Sequence, residues 1–425
     1  MTDRAPLARR LGAFDAVVIG LGAMIGAGVF SAFAPAAEAA GSWLLVGLAL
    51  AASVAYCNAT ASAQLAARYP TSGGTYVYGR ERLGPWWGFV AGYGFVVGKT
   101  ASCAAMALTF AAYALPGARS QERAVAVVLV VALTAVNLRG ITRTAALARV
   151  LVAGSLLAIA IAVSVVLTSG DAAAGGLTEE RLPHGAYGIL QSAGLLFFAF
   201  AGYARIATLG EEVRDPERTI PRAIPIALGI TVAVYAAVGV ALLAALGPSA
   251  LAESGAPVVD AVEAVGSVWA EPVVRLGASL ASAGALLALI AGVGRTALAM
   301  ADEGDLPRRL SAVDPRYSVP RRAELAVGIA VVALVLLTDL RGAIGFSSFG
   351  VLTYYAIANA AAFTQPGEER RWPRALNVAG VIGCVALVAT LPLASVGAGV
   401  AMFAVGIGAR FAVRGAARPS RRPRA

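Results

Sequence analysis

Gly20-Leu21-Gly22-Ala23-Met24-Ile25-Gly26-Ala27-Gly28-Val29-Phe30 sets four glycines in the middle of an apolar segment long enough to cross a bilayer. A plain membrane anchor carries Leu and Val at such positions. Glycine there predicts two half-helices with an unwound joint, because it tolerates backbone conformations that other residues avoid. Amides and carbonyls released at a joint cannot face lipid, so they must line a cavity and hold something polar. The segment therefore predicts a transporter before any other residue is considered.

Composition sets the surroundings. Hydrophobic residues make up 59% of the 425 and charged residues 14%, more apolar side chain than a soluble domain can bury. Apolar runs lie near 14–36, 43–66, 86–115, 123–138, 147–168, 185–209, 223–247, 272–300, 323–338, 343–364, 374–392 and 394–413. At roughly 20 residues per crossing, these predict an all-α integral membrane protein with about twelve spans. The runs 123–138 and 323–338 are the shortest.

The distribution of arginine tests that topology separately, since positive charge is retained on the inner side of a membrane. Alternate connections hold Arg4, Arg9 and Arg10, then Arg68, Arg80 and Arg82, then Arg139, Arg143 and Arg149, then Arg214, Arg218 and Arg222. The last of this set is the tail, with Arg418, Arg421, Arg422 and Arg424. The opposite connections show Arg119, Arg123, Arg181, Arg275 and Arg341. The pattern predicts cytoplasmic N- and C-termini and a multi-pass protein of the cell membrane. It accounts for the net charge of +10 without a nucleic-acid partner. A signal peptide could also begin with Arg9-Arg10 and end near Ala32-Phe33-Ala34, but four glycines weaken such a hydrophobic region, so the first span is expected to stay. Cys57, Cys103 and Cys384 all fall inside spans without metal-ligand spacing and are expected to be packing residues.

Many transporters consist of two inverted halves, each opening with a broken helix. The sixth run supplies the echo, Phe197-Phe198-Ala199-Phe200-Ala201-Gly202-Tyr203-Ala204-Arg205, where an apolar helix runs into a glycine, an aromatic and a charge. A single transport domain over 1–425 follows, with one repeat over about 14–168 and a second over about 185–364. Two appended helices over 374–413 and a basic tail over 414–425 complete it.

At this point the chain resembles the amino acid–polyamine–organocation permeases, which share the leucine-transporter-type fold. The resemblance rests on Gly22 to Phe30 and on Tyr69-Pro70 with Gly73-Gly74-Thr75-Tyr76 and Leu83-Gly84. It continues through Asn137-Leu138-Arg139-Gly140 and Glu211-Glu212-Val213-Arg214-Asp215-Pro216-Glu217-Arg218-Thr219-Ile220-Pro221-Arg222-Ala223. Arg295 to Met300-Ala301, Gly304, Leu306-Pro307 and Pro320 close the set. Each piece alone is weak, whereas the ordered series is specific.

The resemblance implies a midplane amino acid site built from Met24, Ile25, Gly26, Ala27 and Gly28 in the first joint and Phe198, Ala201, Gly202 and Tyr203 in the second. Amides of Ala27 and Gly28 would take the α-carboxylate at the positive end of a half-helix. Carbonyls of Met24, Phe198 and Ala201 would take the α-ammonium. Tyr203 stands where relatives place an aromatic gate.

Selectivity is where the chain departs from its relatives. Ala204 occupies a position that often holds an acid in the family, and Gly98-Lys99 stands where the cationic branch carries a carboxylate. A cationic substrate side chain would lack a countercharge, which is costly in a low-dielectric cavity. Neutral L-amino acids are the expected substrates, and Lys99 or Arg205 facing the cavity would admit an anionic side chain. Lys99 is the sole lysine. Unlike arginine, a desolvated lysine can release its proton. Relatives that couple to protons often place a lysine in the fifth span, where this chain has Ser155. Lys99 is thus a candidate proton carrier, or a fixed charge in place of sodium, against the alternative of a snorkelling or paired lysine. Arg205 is expected to pair with Glu211 or Glu212 at an inner gate, and Arg295 to be a structural charge at the inner side.

A membrane enzyme would need a nucleophile with its base, a metal cluster or paired carboxylates. The lone histidine, His184, lies in a connection and the spans lack acids at depth. The resulting expectation is a permease working by alternating access, with an amino acid exchanger or a transporter-like sensor or subunit as the alternatives. No cofactor and no metal are implied; the partners are a small-molecule amino acid, the lipid bilayer and, as candidate coupling ion, the proton.

Overall fold

The first apolar stretch divides into α1 (Ala13–Met24), α2 (Ala27–Ser31) and α3 (Phe33–Ala40) in the computed structural model. Helical geometry ends at Ile25, with ψ 59°, and at Gly26, with φ −110° and ψ −139°. The glycine-rich joint therefore opens between Met24 and Ala27. The structure describes residues 11–70, 73–115, 117–140, 145–169, 182–209, 212–317 and 319–416. Arg4, Arg9, Arg10, Arg143, Arg181, Glu211 and residues 417–425 of the basic tail lie outside the described residues.

Beyond the joint come α4 (Leu44–Arg68), the short α5 (Thr75–Leu83), α6 (Pro85–Ala114), α7 (Arg119–Leu138) and α8 (Ala145–Thr168). Pro85 opens α6 at a position where its missing N–H costs nothing. The sixth stretch is α9 (Gly185–Phe200), a tight 3₁₀ turn over Ala201–Tyr203 and α10 (Ala204–Ala207). It was expected to unwind. Instead it tightens, with Ala201 at φ −65° and ψ 3°, which still releases carbonyls without extending the chain. Next follow α11 (Pro216–Glu253), kinked where Gly247 takes φ 68°, and α12 (Pro257–Ala264). The chain ends with α13 (Glu271–Asp302), α14 (Arg321–Leu337), α15 (Leu340–Phe363), α16 (Arg374–Thr390) and α17 (Leu393–Ala416).

Each apolar stretch named above coincides with helix, and the described residues form no β-strand. By length and hydropathy alone, nine helical stretches among the described residues suffice to cross a membrane, and Arg374–Thr390 is a shorter apolar helix. Apolar side chains such as Val128, Leu337, Leu393 and Val405 point outward, as contact with lipid requires. Trp43 and Trp269 are exposed at the end opposite the N-terminus, the far face, and Trp86 and Trp87 at the near face. Such pairs fit the two interfacial aromatic belts of a membrane protein.

Small residues set the closest helix approach. A Cβ on Gly98 would stand 3.1 Å from the Gly350 Cα, and one on Gly350 would stand 2.8 Å from the Gly98 Cα. The hydroxyls of Ser102 and Ser347 close the same seam between α6 and α15 at 2.6 Å. Dispersion and small-residue packing hold helices together where lipid is as apolar as leucine.

At the near face, Asp305 gathers a buried ionic knot. Its Oδ1 accepts from Arg410 Nε at 2.9 Å, and its Oδ2 accepts from Tyr76 at 3.0 Å and Arg80 at 3.2 Å. The Arg410 guanidinium lies 4.4 Å over the Phe89 ring and donates to the Pro85 carbonyl at 3.0 Å. Burial, then the Asp305 carboxylate, pushes the Tyr76 phenol above its ordinary range. This knot pins α17 to α5, to the start of α6 and to the loop after α13. On the same face Leu11 forms an isolated parallel bridge with Val213, through Leu11 N to Glu212 O at 3.1 Å and Arg214 N to Leu11 O at 2.9 Å.

Candidate functional site at two facing joints

The two joints interlock through their glycines. A Cβ on Gly28 would meet the Ala199 Cα at 2.6 Å, and one on Gly202 would meet the Ala23 carbonyl at 2.3 Å. Each joint thus packs backbone to backbone against the other, an approach that side chains would forbid. Gly26 is nearly as constrained, since a Cβ there would stand 3.0 Å from the Ala285 Cβ on α13.

Met24, Ile25 and Ala27 are essentially inaccessible, and Gly26 and Gly28 are buried with them. The Gly26 amide turns back to the Met24 carbonyl at 2.8 Å. Ala27 and Gly28 head α2, where first-turn amides have no partner within the helix. These are the amides to which the family resemblance assigns an α-carboxylate.

The carbonyls have partners. Met24 O receives the Tyr235 hydroxyl at 2.6 Å, and that hydroxyl also lies 3.0 Å from Ala199 O. Tyr235, on α11, therefore shares its single proton between the two broken spans. Phe198 O accepts from the Ala201 amide at the helix end. Ala201 O accepts the Lys99 ammonium at 3.0 Å and stands 3.4 Å from the Tyr355 hydroxyl. Met24 O and Ala201 O each already receive two donors, so a substrate ammonium arriving at either must displace one.

Tyr203 is fully buried, with its ring 5.0 Å from that of Tyr355 on α15. Its neighbour Gly202 is the residue that faces the first joint. Ala204 is buried, and Arg205 lies 3.9 Å from Glu212 while donating to the Thr208 hydroxyl at 3.0 Å. The expected partner Glu211 is outside the described residues. Ser155 is buried on α8, and its hydroxyl closes on the Leu151 carbonyl of its own helix at 2.7 Å. Lys99, on α6, is the cation that reaches the second joint, at Ala201 O. Cys57, Cys103 and Cys384 are buried and free.

Two features escaped the sequence reading. Tyr235 was one, though Thr231 four residues earlier on the same face gave a polar pair inside an apolar run; Thr231 reaches the Met24 sulfur at 3.7 Å. The other is a far-face cavity of about 450 Å³ lined by Arg119, Arg123, Arg275 and Arg341 together with Glu122, Glu253, Asp260 and Asp339. Ser31, the last residue of α2, lines it too, so α2 links cavity and joint. Between them the Tyr113 hydroxyl donates to Phe30 O at 2.8 Å and accepts from the Val258 amide at 3.3 Å. Glu324, buried in the first turn of α14 against Gly294, adds an acid toward the near-face end of α13. No group of three or more His, Cys, Asp or Glu side chains among the described residues could hold a metal.

Comparison with known proteins bears on this geometry. A family profile described as "Amino acid permease" matches residues 11–410. An uncharacterised transporter of Mycobacterium tuberculosis is 62% identical over 95% of this chain and 91% of its own length. A branched-chain amino acid permease of Bacillus subtilis is 26% identical, covering 88% of this chain and 84% of itself. A cationic amino acid transporter of Arabidopsis thaliana is 27% identical, covering 86% of this chain and 67% of itself.

Proposed function

Because the chain belongs to the amino acid permease family and is a membrane transporter, we propose that it carries neutral L-amino acids across the cell membrane by secondary active transport. The observation that supports this most is the reciprocal fit of Gly28 against Ala199 and Gly202 against Ala23. Two discontinuous helices brought backbone to backbone at membrane depth offer amides for a carboxylate and carbonyls for an ammonium. Met24, Ile25, Gly26, Ala27 and Gly28 form one wall of the site, and Phe198, Ala201, Gly202 and Tyr203 the other.

The architecture behind this proposal is a twelve-span bundle with cytoplasmic termini, two inverted five-helix repeats and two appended helices. Helices α1, α4, α9 and α11 rock against the remainder and expose the site alternately. The far-face cavity is then the outer approach, and Arg205 with Glu212 a contact of the inner gate. Neutral selectivity follows from the side chains at the joints. Ala204 and Gly98 supply no carboxylate, and Lys99 already brings a positive charge, so a cationic side chain finds no countercharge.

A thermal-shift screen of all common L-amino acids on the purified protein tests the proposal, since a ligand that binds the folded state raises its apparent stability. Neutral amino acids are expected to stabilise, followed by uptake of the same compounds into proteoliposomes. Stabilisation by lysine or arginine alone would overturn the selectivity argument. Binding without counterflow would favour a sensor over a transporter.

A further inference from the structure

Lys99 sits midway along α6, buried, with its ammonium on the carbonyl that the 3₁₀ turn releases at Ala201. Its stem is fixed. Gly98 beside it is seated on the Gly350 Cα and the Ser347 carbonyl, so α6 cannot slide away from α15. No acid accompanies it. Among the described residues, α2, α9 and α15 contain no Asp or Glu, and α13 has none between its terminal turns. A lysine held at membrane depth by a carbonyl dipole alone has a partner suited to any ammonium, including that of a ligand.

We propose that Lys99 is a tethered competitor for the substrate's α-ammonium: the two cations are alternative occupants of the Ala201 carbonyl. The proposal rests on the amino acid reading above and adds the sign of its coupling. When an amino acid brings its ammonium to Ala201, Lys99 gives up its hydrogen bond and, facing a like charge in a dry site, releases its proton. That proton leaves Nζ for water on the side from which the substrate entered. The empty carrier regains a proton at Lys99 and returns. Amino acid and proton therefore bind antagonistically and move in opposite directions, whereas a symporter would need both bound together.

The ionisable surroundings of Lys99 leave it as the group that titrates. Cys103 lies one turn along α6, the Tyr355 hydroxyl shares the Ala201 carbonyl with Lys99, the Tyr354 ring packs 4.9 Å from that of Tyr355, and Tyr203 stands in the joint. Helix α13 brings arginines only at its ends, Arg275 and Arg295; α2 brings none. The middle stretches of α7, α14 and α17 are likewise without ionisable side chains, and α5 places Tyr76, Tyr78 and Arg80 toward the near face.

Isothermal titration of the purified full-length protein with L-leucine and L-alanine, at several pH values and in buffers of different ionisation enthalpy, counts the protons exchanged. Wild type is expected to release up to about one proton per amino acid bound, with affinity rising up to tenfold per pH unit. Lys99→Met is expected to bind without proton release, with affinity independent of pH and at least equal to the wild-type value at high pH. Lys99→Arg keeps its charge at every pH, and its binding is expected to be weak throughout. Proton uptake, or no exchange, by a wild type that binds amino acids would overturn this proposal alone. Loss of binding in Lys99→Met with its helical circular dichroism and elution profile intact would also overturn it, by making Lys99 a ligand rather than a competitor. Failure of every common L-amino acid to bind wild type or Lys99→Met would overturn the amino acid reading, and this proposal with it.

Discussion

Tyr235 donates its hydroxyl to the carbonyl oxygen of Met24 at 2.6 Å. Because that hydroxyl also lies 3.0 Å from the Ala199 carbonyl, one proton on α11 ties the end of α1 to the second-joint helix α9. The link is local in chemistry and long in reach. It holds both broken spans in one arrangement, and any motion that parts them must break it.

Tyr235→Phe removes that proton and keeps the ring, which packs 5.0 Å from Phe200. The net loss of stability is expected to be about 1 kcal/mol, since a neutral hydrogen bond contributes roughly that much. Uptake is expected to fall by about tenfold or more, because the joints lose their shared register. Parallel measurement of unfolding temperature and initial uptake rate separates the effects. Unchanged uptake would reduce Tyr235 to a packing residue.

Glycine substitutions give a sharper contrast. Gly28→Ala places a methyl 2.6 Å from the Ala199 backbone, and Gly202→Ala places one 2.3 Å from the Ala23 carbonyl. Contacts that short force the joints apart, so uptake is expected to be abolished in both. Gly229→Ala and Gly292→Ala meet nothing within 4 Å, and uptake and expression are expected to persist. Equal loss in all four variants would mean that the glycines serve helix packing in general.

These residues also show what the sequence could convey. The break at Met24–Ala27 was legible because glycine inside an apolar run has few uses other than close approach or a bend. The helices were legible because each must bury its backbone polar groups in lipid. What happens at Ala201 was not legible. Whether a glycine-containing stretch extends or tightens depends on which donors reach the released carbonyls, and Lys99 and Tyr355 come from spans far away in sequence. Convergence of four far-side arginines around one cavity was hidden for the same reason. Charge counting assigns a side of the membrane and says nothing of position within that side.

Asp305→Asn tests the near-face knot. Asp305 is buried and accepts from Arg410, Arg80 and Tyr76, and Arg410 is itself 4% exposed. Neutralising the acid leaves the Arg410 charge buried without its carboxylate, a change that typically costs about 3–5 kcal/mol. The variant is expected to unfold at a clearly lower temperature. Adding Arg410→Met should recover part of the loss, because the uncompensated charge is then gone. Additive destabilisation in the double variant would show that the two residues act independently.

Tyr113 supplies the remaining test, at the far-side closure. Its hydroxyl bridges the Phe30 carbonyl and the Val258 amide, joining α2, α6 and α12 between the cavity and the joints. Two neutral hydrogen bonds of about 1 kcal/mol each weight the closed arrangement by roughly a factor of ten or more. Tyr113→Phe removes both and leaves the ring to pack against Phe30, 5.6 Å away. Cys103 lies buried deeper along α6 and reports on opening once Cys57 and Cys384 are replaced by alanine. In that background, Tyr113→Phe is expected to speed labelling of Cys103 by a membrane-impermeant thiol reagent about tenfold, and a saturating transported amino acid should slow it again. An unchanged labelling rate would show that the far side is closed by apolar packing alone, with Tyr113 contributing no more than its ring.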